Sequence, residues 1–301
     1  MLRSLVFGIL LLNFAQTVVA QTSPQTPVAK KAKAGDADEV TANRLQAITL
    51  AMHVYSEKHE FMLPPPVIAN PLLKPEDQLS GFVLLLPHFG EKPGSTDDAT
   101  WEKVRIPAAE AAQAKNLFES IDLKKAWNDP ANLAAAKTSL PVLTSPANKT
   151  TKDANGVAVS HFAFIRGYGG QDDGAFPWSM EVAVFDPTGK KQAISDGTMS
   201  TLAFGQIHDH LGPWMAAGSS TSRFLFHPLE RGESASFGSQ YGDFCHVSKC
   251  DGHVNFMDIK NSTAIGLTAH VSRAGKDEQL LIGNLRNYKN VAEWKATTKG
   301  K

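Results

Sequence analysis

One amphipathic segment near the start of the chain constrains the fold more than any other feature. From Ala37 to Pro66 the sequence reads ADEVTANRLQAITLAMHVYSEKHEFMLPPP. Apolar side chains recur at i, i+3, i+7 and i+10, on one face of an α-helix: Leu45, Ile48, Met52 and Tyr55. Proline lacks an amide donor and disfavours helical backbone in the residue before it, so the helix is predicted to end at Pro64–Pro66. A helix with one apolar face needs a layer to pack against, which the later part of the chain must supply.

The first twenty residues predict a secretory signal peptide. Arg3 gives a positive start, an apolar run follows at Leu5–Leu12, and Ala20 ends a possible cleavage site before Gln21. The alternative is a short membrane anchor, but the apolar run is shorter than the roughly 20 residues that a spanning helix needs. The mature protein is therefore expected in the periplasm, at the cell surface or outside the cell, with no stable membrane span after cleavage.

The rest of the chain divides by composition into a linker, one domain and a tail. Residues 21–36 are rich in proline, lysine and small polar residues, which predicts a disordered linker. Residues 37–285 hold the periodic apolar segments and are interpreted as the folded domain. Residues 286–301 are polar and basic, which is typical of a frayed C-terminal tail.

The charge balance and the absence of two catalytic motifs limit the functions that the sequence favours. The chain has 30 Lys plus Arg and 30 Asp plus Glu, so no charge excess points to nucleic acid or to an anionic membrane surface. The sequence contains neither a glycine-x-serine-x-glycine nucleophile elbow nor a phosphate-cradling loop with its Lys-Ser/Thr. It therefore favours a protein without enzymatic activity and indicates no cofactor.

From His161 onward the sequence is typical of a meandering antiparallel sheet. Short runs rich in β-formers, such as HFAFIRGYGG, TLAFGQI and SRFLFH, are separated by Gly, Pro and Asp. Asp251-Gly252, between HVSKC and HVNFM, predicts a hairpin with a type I′ turn, which requires two residues tolerant of positive φ. We predict an α+β fold in which the N-terminal amphipathic helix packs on an antiparallel β-sheet with loop-rich insertions.

Four separated segments carry a family resemblance: NRLQAITLAMHVYSEKHEFMLPPP, LKKAWNDPANLAAAKTSLPVLTSP, ISDGTMSTLAFGQI and CDGHVNFM. Each is similar to a motif of the DUF1559 proteins, a pilin-like family abundant in planctomycete bacteria. Their order and spacing match over about Thr41 to Asp258. The resemblance implies a pilin-like helix on an antiparallel sheet, and it implies no established activity.

The chain departs from the family pattern in three places. A signal peptide and a polar linker replace the family's prepilin leader and long hydrophobic helix, so filament assembly does not follow from the resemblance. Two family cysteines correspond to Thr41 and Thr144, a joint loss that is expected if those cysteines normally pair. The family glutamate after the glycine is Gln206 in this chain.

Two groups of residues are candidates for ligand binding. Ser195, Asp196 and Thr198 surround a glycine in a polar turn that could bind a ligand, although such turn chemistry also serves structure alone. Trp178 and Trp214 could line a carbohydrate groove, although core or edge packing is the commoner use of tryptophan.

The triplet His208-Asp209-His210 is the most metal-like sequence in the chain. Imidazole and carboxylate together suit zinc or copper. The competing interpretation is a surface loop, because closed zinc sites take four ligands and the sequence shows no further one.

The two cysteines, Cys245 and Cys250, allow three interpretations: a disulfide, a zinc site with a nearby histidine, or two separate thiols. An exported address favours the disulfide. A continuous strand opposes it, because five steps of about 3.3 Å place the Cα atoms about 16 Å apart, whereas a disulfide needs less than about 7 Å. The disulfide and the hairpin are therefore rival hypotheses, and the disulfide is preferred if a loop interrupts the segment.

Three functions remain, in order of preference. The first is an exported, non-enzymatic pilin-like domain that interacts with cell-envelope proteins. The second is a soluble module that binds glycans, such as surface glycans, through Trp178, Trp214 and the turn at Ser195. The third is a metal-dependent hydrolase that uses the histidines of the triplet.

Overall fold

The computed structural model describes residues 34–178, 182–184, 193–226, 236–262, 267, 270–273 and 287–288. The predicted signal peptide at 1–20 lies outside the described residues, as do most of the predicted linker and tail. In this described part of the chain, no helix combines the length and the apolar character needed to cross a membrane.

The amphipathic segment forms the long helix α1, Ala34–Lys58, of 25 residues. Its predicted apolar face is the face that the fold buries. Three of the four stripe residues are fully buried and the last is half-buried: Leu45, Ile48, Met52 and Tyr55. The periodicity therefore predicted both the helix and its buried side.

The end of α1 differs from the prediction, because the helix stops six residues before the first proline. Glu60 and Phe61 take left-handed backbone conformations, with φ of 52° and 62°. The amide of Phe61 then donates to the carbonyl of Ser56 at 2.8 Å, which closes the last turn. Left-handed residues, and not Pro64, therefore end the helix.

The prolines instead lead into a small ribbon. Strand β1, Val67–Ile68, pairs antiparallel with β2, Leu79–Ser80. Gly81 follows β2 and lies against the carbonyl of Pro65, where a Cβ would come within 2.0 Å of the oxygen. This close approach requires glycine at that position.

Four shorter helices fill the loop-rich region between α1 and the main sheet. They are α2 (Phe82–Leu85), α3 (Asp98–Val104), α4 (Ala108–Ser120) and α5 (Pro130–Ala136). Asp97 caps α3 by accepting from the amide of Thr100, and Asp129 caps α5 by accepting from the amide of Ala131. Short 3₁₀ turns occupy Pro75–Asp77, Leu86–His88 and Pro141–Leu143.

Among the described residues, the main sheet has six strands. They are β3 (Phe162–Tyr168), β4 (Leu202–Gln206), β5 (Ser222–Leu225), β6 (Phe244–Lys249), β7 (Val254–Asp258) and β8 (Asn287–Tyr288), in the spatial order β5-β3-β4-β6-β7-β8. Neighbouring pairs are antiparallel except β3 and β5, which run parallel. The sheet is therefore mixed, because the chain crosses from β4 to the far side of β3 before it forms β5.

The predicted hairpin is confirmed, but its turn is not type I′. Strands β6 and β7 pair from Phe244 opposite Asp258 to Ser248 opposite Val254. Within the connection only Gly252 has a positive φ, of 94°, whereas a type I′ turn needs two such residues. Four residues, from Cys250 onward, join the strands.

The sheet is buried on both faces. On the α1 side, four phenylalanines pack with ring centroids between 4.7 and 6.1 Å apart: Phe82, Phe164, Phe176 and Phe204. A second apolar cluster covers the opposite side: Ile165, Leu202, Phe237, Val247, Met257, Leu267 and Val271 among its members. A helix layer on a mainly antiparallel sheet confirms the α+β fold.

Candidate functional site

The polar turn at Ser195 is tied to another segment of the chain. The amides of Ser195 and Asp196 both donate to the carbonyl of Arg273, at 2.9 and 3.2 Å. Gly197 has a φ of 85°, as the turn requires. Thr198, the third predicted site residue, is half-buried in the same turn. These contacts fit the structural interpretation of the turn, and none of its residues lines the pocket described below.

Trp214 is a core residue, which corrects its assignment to a carbohydrate groove. Only 1% of its surface is exposed, and it packs in the apolar cluster on the α1 side of the sheet. Its indole N–H donates to the carbonyl of Thr138 at 3.2 Å. A ligand cannot reach a ring buried in this way.

The triplet His208-Asp209-His210 does not form a metal site. Within the described residues no group of three His, Cys, Asp or Glu side chains is close enough to hold an ion. His208 contacts Asn148, with 3.3 Å between Nδ1 and Nδ2, whereas Asp209 lies 3.5 Å from Arg223. The three side chains are exposed, and Asp209 and His210 approach each other to 3.7 Å without a third ligand in the described part of the chain, so the surface-loop interpretation replaces the metal site.

The cysteines are separate thiols, which corrects the disulfide hypothesis. Cys245 and Cys250 are both free and buried. Cys245 lies in β6 and belongs to the second apolar cluster, whereas Cys250 follows the end of β6 and belongs to the cluster on the α1 side of the sheet. Burial raises the pKa of both thiols and keeps them protonated.

A pocket of about 420 Å³ brings together residues from four parts of the chain. Its walls are the turn at Pro75 and Glu76, the indole of Trp178, the loop His210–Gly212 and the loop Ala217–Ser220. This volume lies within the range of small-molecule sites in proteins. Of the sequence-predicted site residues, the pocket contains Trp178 and His210.

Two hydrogen bonds join two walls of the pocket. The amide of Ser80 donates to the carbonyl of Met215 at 2.7 Å, and the amide of Ala217 donates to that of Gln78 at 2.9 Å. The segment after the Pro75–Asp77 turn and the loop before β5 therefore form one connected frame. These two hydrogen bonds fix the spacing between the two walls.

Trp178 is held in position by a cation and an anion. The guanidinium of Arg166 lies over the Trp178 ring, 5.0 Å from its centroid, and over the Phe224 ring at 4.4 Å. Asp172 pairs with Arg166 at 3.0 Å through one oxygen and accepts from the amide of Trp178 at 2.7 Å through the other. The half-exposed indole is thus fixed by the protein while it lines the pocket.

Arg223 joins the two loops that form the opposite wall. Its side chain is fully buried, and its guanidinium donates to the carbonyls of Ser219, Asp209, His210 and Ser236, at 2.6 to 2.9 Å. Burial lowers the pKa of Arg223 to about 10, against the opposing effect of Asp209, so the side chain stays charged at neutral pH. One buried cation therefore sets the spacing of both loops.

His210 has strained backbone at the pocket wall. It is exposed, and its φ of 47° lies in the left-handed region that glycine prefers. Its carbonyl is held by Arg223 at 2.8 Å. Non-glycine residues in this conformation persist where the surroundings fix them, and they concentrate at functional sites.

The turn that carries Glu76 is fixed by a segment of the family-like sequence. The indole N–H of Trp127 donates to the carbonyl of Glu76 at 2.9 Å, and its amide donates to that of Asp77 at 3.1 Å. Asn128 adds a side-chain bond to Asp77 at 3.3 Å. The backbone of Glu76 is therefore fixed while its side chain is exposed.

A buried polar network lies apart from the pocket, between α1 and the sheet. Ser145 Oγ lies 2.9 Å from Thr41 Oγ1 and accepts from Gln206 Nε2 at 3.3 Å. Gln206 Oε1 lies 3.1 Å from His246 Nδ1. Burial lowers the pKa of His246 to about 4, so the imidazole is neutral at physiological pH. The network links the helix, a loop and two strands.

The fold and the pocket define the class of protein: an α+β domain of one long helix on a mixed sheet, with a pocket formed by a turn and loop segments. The family model described as "Protein of unknown function (DUF1559)" matches residues 41–224. The chain belongs to this family, and every wall of the pocket lies within the matched range. No curated protein and no solved structure matches the chain.

Sequence reasoning missed three residues that shape the pocket. Arg166 and Arg223 stand inside the apolar strand sequences FAFIRGY and SRFLF. A charged residue at a position that should be buried must find partners, and this signal could have been used. Glu76 gave no such signal, because an acidic residue in a polar turn is common.

Proposed function

We propose that the protein is an exported, non-enzymatic pilin-like domain that acts as a binding module and takes a saccharide in the pocket beside Trp178. The observation that carries this proposal is the fixed, half-exposed indole at the wall of a small-molecule-sized pocket. Sugars present an apolar face with hydroxyl groups at its rim, which suits an aromatic ring surrounded by polar groups.

The remaining walls supply the polar groups that such a ligand needs. Ser219 and Ser220 bring hydroxyls, and Gly212 and Gly218 expose backbone at the pocket. His210 adds an imidazole. Directed polar groups around an apolar surface give a pocket its orientation and its specificity.

The non-enzymatic part of the proposal rests on how the polar groups of the walls are used. Ser220 Oγ donates to the carbonyl of Ala216 at 3.4 Å, and among the described residues neither wall serine is hydrogen-bonded to His210. A nucleophilic serine needs a base within hydrogen-bond reach. The groups are therefore arranged for recognition, as in the first two functions that the sequence favours.

Calorimetry with a panel of mono- and oligosaccharides tests the binding function. We expect saturable binding that Trp178→Ala weakens at least tenfold, because the stacking surface is lost. Trp101→Ala is the matched control: this tryptophan is also half-buried but lies on α3 and does not line the pocket. Equal affinity in the wild type and in Trp178→Ala, or no binding across the panel, overturns the proposal.

Fractionation of the native host tests the export part. Mass spectrometry of the N-terminus is expected to find mature protein that begins at Gln21 in an exported fraction. An intact N-terminus in the membrane fraction would instead make residues 1–20 an anchor and would contradict cleavage. This outcome leaves the saccharide test unaffected, so the two parts of the proposal fail separately.

A further inference from the structure

The two arginines close to the pocket are already neutralised. Arg166 pairs with Asp172 at 3.0 Å, and this pair is largely buried. The guanidinium of Arg223 donates hydrogen bonds to four backbone carbonyls, and its Nη1 lies 3.5 Å from Oδ1 of Asp209. Neither guanidinium is therefore available to attract an anionic ligand.

The pocket wall carries one carboxylate that has no such compensation. Glu76 lines the pocket, is exposed, and forms no ion pair with any residue that the structure describes. Its backbone is held by Trp127, so the carboxylate projects from a fixed point. Among the residues that line the pocket, Glu76 therefore contributes an unpaired negative charge.

We infer that the pocket selects saccharides with a free amino group, such as glucosamine units, over neutral and acidic sugars. This inference deepens the proposed function and rests on it. The sugar ring stacks on Trp178, while its ammonium group donates a charge-assisted hydrogen bond to Glu76. A uronic acid brings a second carboxylate to the same wall and is repelled.

The size of the preference follows from the exposure of Glu76. An exposed ion pair contributes modestly, so we expect glucosamine oligomers to bind about fivefold more tightly than the corresponding glucose oligomers. The N-acetylated oligomers have the same sugar ring and chain length but no charge, and they should not show the preference of the free amines. Added salt should reduce the preference because it screens an exposed pair.

Ligand titrations at mildly acidic pH test the inference. Wild type and Glu76→Gln are each titrated with oligomers of glucosamine, glucose, N-acetylglucosamine and glucuronate. Glu76→Gln should abolish the fivefold preference for glucosamine oligomers over glucose oligomers. Glu119→Gln, an exposed glutamate on α4 outside the pocket, should keep the preference.

The outcomes separate the two proposals. Binding of glucose oligomers without a preference for the amine, or a preference that persists in Glu76→Gln, overturns the charge selectivity and leaves the saccharide function standing. Tighter binding of glucuronate oligomers than of glucose oligomers would likewise overturn the charge selectivity and leave the saccharide function standing. No binding of any oligomer to the wild type overturns both.

Discussion

The side-chain oxygens of Thr41 and Ser145 lie 2.9 Å apart in the buried interior, although 104 residues separate them along the chain. This contact joins α1 to the loop that follows the 3₁₀ turn at Pro141–Leu143. The family resemblance assigns cysteines to the positions of Thr41 and Thr144. The structure places Thr41 opposite the immediate neighbour of the second position, so these two segments meet in this fold.

A double substitution, Thr41→Cys with Ser145→Cys, is expected to form a disulfide in the oxidised protein. Closing a loop of about 100 residues stabilises the fold by up to about 4 kcal/mol through the entropy of the unfolded chain. Urea unfolding of the oxidised and reduced double variant measures the difference. The double variant Thr41→Cys with Thr144→Cys is the control for the position of the second cysteine. If the oxidised and reduced forms of the Thr41→Cys, Ser145→Cys variant were equally stable, the contact between Thr41 and Ser145 would be contradicted.

Replacing Arg223 by methionine should destabilise the protein by about 2 to 4 kcal/mol. The substitution keeps much of the side-chain volume but leaves four carbonyls without their charged donor: those of Ser219, Asp209, His210 and Ser236. Chemical denaturation measures the loss. Arg105→Met is the control, because this arginine is half-exposed and pairs with Glu102 on the surface, and its change in stability should stay within about 0.5 kcal/mol.

The strain at His210 predicts opposite effects on stability and on binding. His210→Gly should stabilise the fold by about 0.5 to 1 kcal/mol, because glycine adopts a positive φ without steric cost. The same change should weaken saccharide binding, since a pocket side chain is removed. Differential scanning calorimetry and ligand titration measure the two effects. The control is His208→Gly. His208 does not have a positive φ, so glycine relieves no backbone strain there and should lower the melting temperature.

Sequence periodicity predicted the fold well where one physical requirement dominated. The face of α1 that contains Leu45, Ile48 and Met52 is buried as predicted, because a helix must hide an apolar stripe. The β6–β7 hairpin was predicted from its turn residues. The parallel strand β5 was not, because strand order depends on long-range pairing that a local pattern does not record.

The site was harder to predict than the fold, because tertiary burial decides which residues are available. Trp178 and Trp214 look alike in sequence, yet the first lines the pocket and the second is 1% exposed in the core. The sequence left Cys245 and Cys250 open to a disulfide, whereas the structure places Cys245 in β6 and Cys250 directly after it, in separate apolar clusters. Glu76 is distant in sequence from the other walls, so only the folded chain brings it to them.

The buried His246 predicts that the protein loses stability in mild acid. Its pKa is about 4 in the folded state and about 6.5 when unfolded, because burial disfavours the charged imidazole. Between these two values the unfolded chain binds more protons than the native protein, so the free energy of unfolding falls as the pH falls. A difference of about 2.5 pKa units corresponds to about 3 kcal/mol, fully present above pH 6.5 and lost by about pH 4.

Urea unfolding of wild type and His246→Asn across this pH range isolates the contribution. Asparagine has no titration in the range, and its amide can take the place of Nδ1 as donor to Gln206. His161 also has a pKa lowered by burial, so the slope should decrease in the variant without disappearing. His253→Asn, whose side chain is 73% exposed, should keep the wild-type slope. If His246→Asn also kept it, the imidazole would be accessible to solvent, and the buried network between α1 and the sheet would be open at that end.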